Sequence, residues 1–174
     1  IGREVSIVCD PTMLVELSIF DENAKAIDED DYILLYQFAE IGAEAKKEIL
    51  TLKKAHNLKV ISFGEHRAWC DKNIPYDPHL FVSYFKNASF VVTDTFHGTI
   101  FSILYEKNFV EYGNKKKKIS DLLESLQLTD AIRKNRKSVA EIFENGLDYP
   151  YANEKIKELR EFSLRYLKEN LSEN

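Results

Sequence analysis

A chain of 174 residues that is 44% hydrophobic and 30% charged is long enough to bury one hydrophobic core of ordinary domain size. Its formal net charge of −5 argues against a general nucleic-acid binder, whose surface is normally basic. No apolar run approaches the roughly 18 residues that a membrane-spanning helix needs, and the first residues show no signal-peptide pattern, so we expect a cytoplasmic protein.

The first part of the chain predicts three strands. The sequence begins at Ile1 and enters an apolar run almost at once, which indicates a piece of a longer polypeptide. Residues 5–9 predict a buried strand, ended by the turn signal Asp10-Pro11. Tyr32–Tyr36 and residues 58–63 predict the next two strands. Residues 43–56 lie between them and place apolar side chains on one face and lysines on the other, which predicts an amphipathic helix.

Strands and helices continue to alternate after a polar loop at residues 65–78. Residues 80–88 predict a helix, Phe90–Thr93 a strand, residues 99–106 a helix and Phe109–Glu111 a short strand. This alternation predicts βαβ units and therefore an α/β fold, with a parallel sheet flanked by helices on both faces. After Gly113 the pattern predicts helices at 119–126, after a capping box at 138–141, and at 153–171.

A His-Gly pair lies where the Phe90–Thr93 strand hands over to the next helix. In open α/β sheets this junction is at the ligand-facing edge. The free N–H groups of a helix N-terminus attract phosphate or carboxylate groups, and Gly98 lets a ligand approach the backbone. His97 could donate to such an anion or move a proton. Further hydroxyl donors lie nearby in the sequence, at Thr95, Thr99 and Ser102.

A structural interpretation of the same junction is also open. In it, His97 packs at the turn and bonds a backbone carbonyl, and Asp94 caps the helix. Asp94 could alternatively orient His97 or act as a base. Asp10 is most simply a turn former ahead of Pro11.

The segment NASFVVTDTFHGTIFSILYEKNFV, residues 87–110, resembles the signature of the polysaccharide pyruvyl transferase family. Other stretches are similar to family landmarks in the same order: VCDPTML, YILLY, ISDLLESLQL and LDYPYANEKIKELREFSLRYL. The resemblance covers nearly the whole chain and is most specific at the His-Gly segment.

The resemblance implies a two-lobed architecture similar to GT-B glycosyltransferases, with a cleft between two Rossmann-like lobes. Residues 1–174 would be the C-terminal lobe, completed by an N-terminal lobe of the same polypeptide. It also implies transfer of a pyruvyl group from phosphoenolpyruvate to a sugar, forming a ketal on a bacterial polysaccharide or its lipid-linked precursor in exopolysaccharide or cell-envelope biosynthesis. The partners would be phosphoenolpyruvate and the sugar acceptor, with peripheral membrane contact through a lipid-linked acceptor. Neither a metal nor an organic cofactor is expected.

On the resemblance, His97 would be a general acid or a phosphate-binding residue, with Gly98 and Thr99 as backbone donors. The chain departs from the family at one position, because Thr95 stands where many members have an arginine in Arg-x-His-Gly. That arginine would clamp a phosphate or carboxylate with two hydrogen bonds. Lysines after the fifth predicted strand could supply the charge instead: Lys115, Lys116, Lys117 and the neighbouring Lys118.

The loop at 65–78 adds further candidates. Arg67 could take an anion, His66 could bind substrate, and Trp69 could stack on a sugar ring or cover the edge of the domain. Binding residues collect in loops at the carboxyl ends of strands.

Two other functions are weighed beside the transferase. One is a GT-B glycosyltransferase lobe that binds a nucleotide-sugar at the same helix N-terminus, and the other is a binding module that kept the fold without catalysis. The four histidines show no metal-ligand spacing, and we expect Cys9 and Cys70 to be reduced thiols. The isolated lobe is expected to fold but to catalyse little.

Overall fold

Five parallel strands form the centre of the structure, a computed structural model that describes residues 6–113, 117–133 and 138–171. The strands lie in the order β3-β2-β1-β4-β5. They are β1 (Tyr32–Tyr36), β2 (Lys59–Phe63), β3 (Lys72–Ile74), β4 (Phe90–Thr93) and β5 (Phe109–Glu111). The helices are α1 (Pro11–Leu14), α2 (Leu17–Glu22), α3 (Ala43–His56), α4 (Pro78–Asn87), α5 (Phe96–Leu104), α6 (Lys117–Ser125), α7 (Val139–Asn145) and α8 (Pro150–Leu171), with a 3₁₀ turn at Thr129–Ala131.

The alternation of side chains along the strands builds a core on each face of the sheet. In β1, Tyr32, Leu34 and Tyr36 belong to one core, and Ile33 and Leu35 belong to the other. Residues of α4, α5 and α6 pack in the first core, and residues of α3 and α7 pack in the second. All five residues of β1 are buried, as expected for a parallel strand covered on both sides. The predicted α/β, Rossmann-like fold is therefore confirmed.

The strand order reverses at β1. The chain moves from β1 to β2 on one side and later returns to add β4 on the other side, so β1 pairs with both. The loops that leave β1 and β4 run in opposite directions, which opens a crevice at the carboxyl edge of the sheet. We call this place the switch point. It is where open α/β sheets bind ligands.

The expected strand at residues 5–9 is wrong over its described part. Residues 6–10 form no strand, and Ile7 is exposed. The amide of Cys9 donates instead to Ser163 Oγ on α8 at 3.0 Å, so the segment lies on a helix and not in the sheet. Asp10-Pro11 is not a strand-ending turn either, because Asp10 caps α1 and Pro11 occupies its first turn.

Other differences from the prediction follow from local capping. The loop at 65–78 contains β3, an edge strand of three residues in which only Ile74 is buried, too short to show an apolar pattern. Helices α4 and α8 begin earlier than predicted, each at a proline in its first turn, and α5 begins at Phe96 because Thr95 caps it. The capping box at Ser138 and Glu141 is confirmed. No helix in the described ranges is long and apolar enough to cross a bilayer.

Gly98 is the point at which α5 comes closest to the sheet. A Cβ at this position would lie 2.6 Å from Thr95 Oγ1 and 2.9 Å from Tyr36 Cδ1, and closer still to Thr93 Oγ1. These atoms belong to the cap and to the strands β1 and β4, none of which is a flexible chain end. The glycine is therefore required by internal packing, and this removes the need to explain it by ligand approach.

We predict that Gly98→Ala destabilises the fold by roughly 1–3 kcal/mol, because the methyl group displaces α5 from the ends of β1 and β4. Equilibrium unfolding in urea measures the change. Gly42→Ser is the control, since a Cβ at Gly42 meets nothing within 4 Å, and it should stay within about 0.5 kcal/mol of wild type. Equal stability of Gly98→Ala and the control would contradict the packing argument.

Candidate active site at the switch point

Two amides at the start of α5 donate to its N-cap residue, Thr95. Thr95 Oγ1 accepts from the amide of Gly98 at 2.8 Å, and Thr95 O accepts from the amide of Thr99 at 3.0 Å. Both amides that the sequence offered as ligand donors are thus used inside the helix. The expectation that the helix starts after Gly98 is wrong, because His97 and Gly98 already lie in its first turn.

The hydroxyl groups of the motif also bond within the protein. Thr99 Oγ1 donates to Thr95 O at 3.0 Å, and Ser102 Oγ donates to Gly98 O at 2.7 Å. Thr95, Gly98, Thr99 and Ser102 are all buried. Direct contact of these residues with a ligand stays a prediction. Together these residues form the hydrogen-bonded turn that holds His97 at the surface.

His97 is the exposed member of the motif, with 58% of its side chain accessible. Its Nε2 lies 4.0 Å from Asp10 Oδ1, and Lys118 Nζ lies 3.7 Å from Asp10 Oδ2. The Lys118 ammonium also sits 3.6 Å above the centre of the Phe96 ring. We call Asp10, Phe96, His97 and Lys118 the His97 cluster. The carboxylate of Asp10 thus lies within 4.0 Å of both basic side chains of the cluster.

Asp10 is held as a carboxylate in this cluster. Partial burial raises its pKa, but the hydroxyl and the amide of Thr12, which donate to Oδ1 at 2.8 and 3.1 Å, lower it, and so do His97 and Lys118. The net result is a pKa below the ordinary aspartate value. The sequence missed this role because Asp10 and His97 are far apart in the chain; the Asp-Pro helix start in CDPT shows only the cap.

Asp94 connects the two loops of the switch point. It is buried, and its Oδ1 and Oδ2 accept from the amides of Phe38 at 3.0 Å and Ala39 at 2.9 Å, in the loop after β1. Thr95 caps α5, so the expectation that Asp94 caps this helix is wrong. The bonds to the β1 loop give Asp94 a structural function, and its proposed catalytic role stays a prediction.

Arg67 and His66 follow β2 and lie on the other side of β1 from His97. Arg67 is buried, and its Nη2 donates to the carbonyls of Gln37 and Ala39, each at 2.8 Å. His66 is exposed. Trp69 is half-buried beneath Lys46 Nζ, which lies 5.2 Å from its ring centre. Trp69 packs against the second core.

The two described lysines after β5 have different partners. Lys115 and Lys116 lie outside the described residues. Lys117 is exposed and pairs with Asp121 at 2.7 Å on its own helix. Lys118, the last of the four, is the one that the structure brings to Asp10.

An aromatic cavity opens beside His97. Its volume is about 510 Å³, and His97 contributes to its wall. Aromatic and imidazole rings form much of the remainder: Phe20, Tyr36, Tyr76, His79, Phe81 and Phe101. These rings come from α2, β1, α4, α5 and the loop after β3, so no single stretch of sequence indicates the cavity. Within the described ranges no group of three His, Cys, Asp or Glu side chains is placed to hold a metal ion.

A comparison with known families now adds to this geometry. The family model for polysaccharide pyruvyl transferase matches residues 1–115, about two thirds of the chain. The chain belongs to the polysaccharide pyruvyl transferase family. No curated protein in the comparison matches it.

This family is a transferase family, as the resemblance in the sequence implied. The matched region holds Asp10, β1 to β5 and the whole first turn of α5. Lys118 and the terminal helices lie beyond it. The His97 cluster therefore joins three residues of the matched region with one residue of α6.

We predict that Asp94→Asn destabilises the fold by roughly 2–4 kcal/mol, because an amide side chain cannot accept from both backbone N–H groups and loses the charge. Urea unfolding measures the loss, and Asp148→Asn, at an exposed aspartate, is the control that should match wild type. If Asp94→Asn unfolds with wild-type stability, the bridge does not hold the loops.

We predict a pH-dependent contribution of Asp10 to stability. Because its pKa is lowered in the folded state, the contribution is present above the pKa of the unfolded chain and disappears as the pH falls through the folded value. Asp10→Asn, which keeps the cap acceptor, should be less stable than wild type by about 0.5–1 kcal/mol at pH 7. Urea unfolding at neutral pH and near pH 2.5 tests this, and a deficit of the same size at both pH values would contradict it.

Proposed function

We propose that the protein transfers the pyruvyl group of phosphoenolpyruvate to two hydroxyls of one sugar, on a polysaccharide or its lipid-linked precursor. The observation that carries the proposal is the His97 cluster: an exposed imidazole beside a carboxylate and an ammonium group at the ligand-facing edge of the sheet. Family membership supports the reaction class.

The reaction requires one proton donor and no cofactor. A proton is added to C3 of phosphoenolpyruvate and turns the methylene into a methyl group, while a sugar hydroxyl adds to C2. The C2–O bond to phosphate then breaks, phosphate leaves, and a second hydroxyl adds to C2 to complete the ketal. The two hydroxyls lose two protons in total, of which one balances the proton on C3 and the other leaves on phosphate.

In this proposal His97 supplies the proton to C3 and takes one back from a hydroxyl. An imidazole suits both steps because it exchanges a proton near neutral pH. The carboxylate of Asp10 lies 4.0 Å from Nε2 of this ring. Lys118 faces the carboxylate or phosphate of the donor, and its 70% exposed side chain has the freedom to do so.

We assign the sugar to the aromatic cavity, since its rings offer flat apolar faces next to His97. Phe38 and Tyr76, at the same edge, are 58% and 60% exposed. Exposed rings at a binding edge favour cover by a second lobe, as in a GT-B-like cleft. Lys115, Lys116 and Lys117 remain candidates for further contacts with the donor.

We predict that His97→Ala lowers the rate of phosphate release from phosphoenolpyruvate, with an oligosaccharide acceptor present, by about 10²–10⁴-fold. Calorimetric binding of phosphoenolpyruvate should change only several-fold, because the lost step is proton transfer. The full-length protein is used for both measurements.

His56→Gln is the matched control, since His56 ends α3 and packs on Phe143, away from the cluster. It should retain wild-type turnover. A His97→Ala variant as active as this control would remove His97 from the mechanism. Wild-type protein that binds a nucleotide-sugar and does not bind phosphoenolpyruvate would overturn the donor.

A further inference from the structure

We propose that Arg67 and Gln37 form an oxyanion-binding subsite on the β2 side of the switch point, across β1 from the His97 cluster. Its ligand is a phosphate or carboxylate group, and the assignment of that group to the pyruvyl donor rests on the proposed function. Arg67 follows β2 and Gln37 is the first residue after β1. Both therefore lie at the carboxyl edge where this kind of sheet binds ligands.

The Arg67 guanidinium is held in place by the backbone. Its Nη2 donates to two carbonyls of the β1 loop, those of Gln37 and Ala39, both at 2.8 Å. Its own amide donates to Asn73 Oδ1 at 2.7 Å, and Asn73 Nδ2 donates back to the Arg67 carbonyl at 3.2 Å. The side chain is 8% exposed. The guanidinium is thus fixed before any ligand arrives.

The charge of Arg67 has no acidic partner in the part of the chain that the structure describes. The ion pairs found there within 4.0 Å involve other basic side chains, and nearby Asp71 pairs with Lys53. A buried cation without a carboxylate is costly, and proteins normally pair it. Carbonyl oxygens satisfy two N–H groups of Arg67 without neutralising its charge.

Two buried atoms in this pair of residues also have no hydrogen-bond partner: Arg67 Nε and Gln37 Oε1. Gln37 is only 4% exposed. Such atoms are rare in folded proteins, and a bound ligand or ion is one of the recognised reasons for them. Here a donor and an acceptor are left open on neighbouring residues, since Arg67 already contacts the carbonyl of Gln37. The open atoms therefore belong to two residues that contact each other.

The chemistry of these groups defines the ligand. A guanidinium prefers the planar or tetrahedral oxygens of carboxylate and phosphate. Gln37 accepts from a hydroxyl of the ligand, or donates to the anion when its amide is rotated by half a turn. Water could satisfy the hydrogen bonds but could not neutralise the charge. An oxyanion does both.

Two sources offer that anion: the phosphate or carboxylate of phosphoenolpyruvate, and the diphosphate of a lipid-linked acceptor. Calorimetry on the full-length protein with phosphoenolpyruvate and, separately, with inorganic pyrophosphate distinguishes them. We expect at least one probe to bind the wild type, and Arg67→Lys and Gln37→Met to weaken that binding about tenfold each. Arg133→Gln is the matched control, because Arg133 is paired with Glu48, and it should bind as the wild type does.

Gln37→Met keeps the test decisive if Arg67→Lys does not fold. The Oε1 atom of Gln37 makes no hydrogen bond to a described residue, so a methionine of similar shape should raise the unfolding temperature of the ligand-free protein or leave it unchanged. Weaker binding together with an unchanged or higher unfolding temperature supports the subsite. A lower unfolding temperature, or unchanged binding of both probes in both variants, overturns it, as does a wild type that binds neither probe.

The outcome separates this inference from the proposed function. Loss of turnover in His97→Ala with normal binding of both probes in the Arg67 and Gln37 variants would keep the function and overturn the subsite. Binding of pyrophosphate alone, weakened in both variants, would support the subsite and remove it from the pyruvyl donor.

Discussion

The arrangement at the switch point depends on one buried carboxylate. Asp94 follows β4, and its two oxygens accept from consecutive amides in the loop after β1, at 3.0 and 2.9 Å. The loops leave neighbouring strands in opposite directions, and without this bridge the amides of Phe38 and Ala39 would need other acceptors. The same β1 loop receives Arg67 from the β2 side. Elements on both sides of β1 are therefore set against one loop, and α5 begins directly after Asp94.

This construction changes what the His-Gly motif supplies. A helix N-terminus next to a cleft can bind an anion through its free amides. Here the amide of Gly98 donates to the Thr95 cap and the amide of Thr99 donates to the Thr95 carbonyl, so neither is free for a ligand. Gly98 also fills the space against the sheet. The polar groups of the motif are largely used to fix the turn. What they present is one exposed imidazole whose backbone cannot shift easily. A proton donor needs such fixed placement more than it needs a flexible loop.

Local pattern predicted much of this fold, since β1, α3, β4 and β5 have the bounds that their periodicity and apolar runs indicate. It failed where the decisive contact is distant in sequence. Residues 6–10 include an apolar run typical of a strand, but the amide of Cys9 bonds to Ser163 on α8 instead. Strand β3 is too short to show an apolar pattern. The motif located His97. Its partners Asp10 and Lys118 could not be found in the same way. The sequence of a helix cap, or of a basic loop, does not show whether its side chain lies close to an imidazole in the folded protein.

The two sides of the switch point differ in how their charge is balanced, and this difference orders the proposed chemistry. Around His97, one carboxylate, that of Asp10, lies within 4.0 Å of two basic side chains. Around Arg67 no described carboxylate lies within ion-pair distance, which favours a group that stays positive and waits for an anion. Arginine suits this task because it does not give up its proton. A substrate spanning β1 would have its anion fixed on one side while its reacting carbon faces the imidazole on the other.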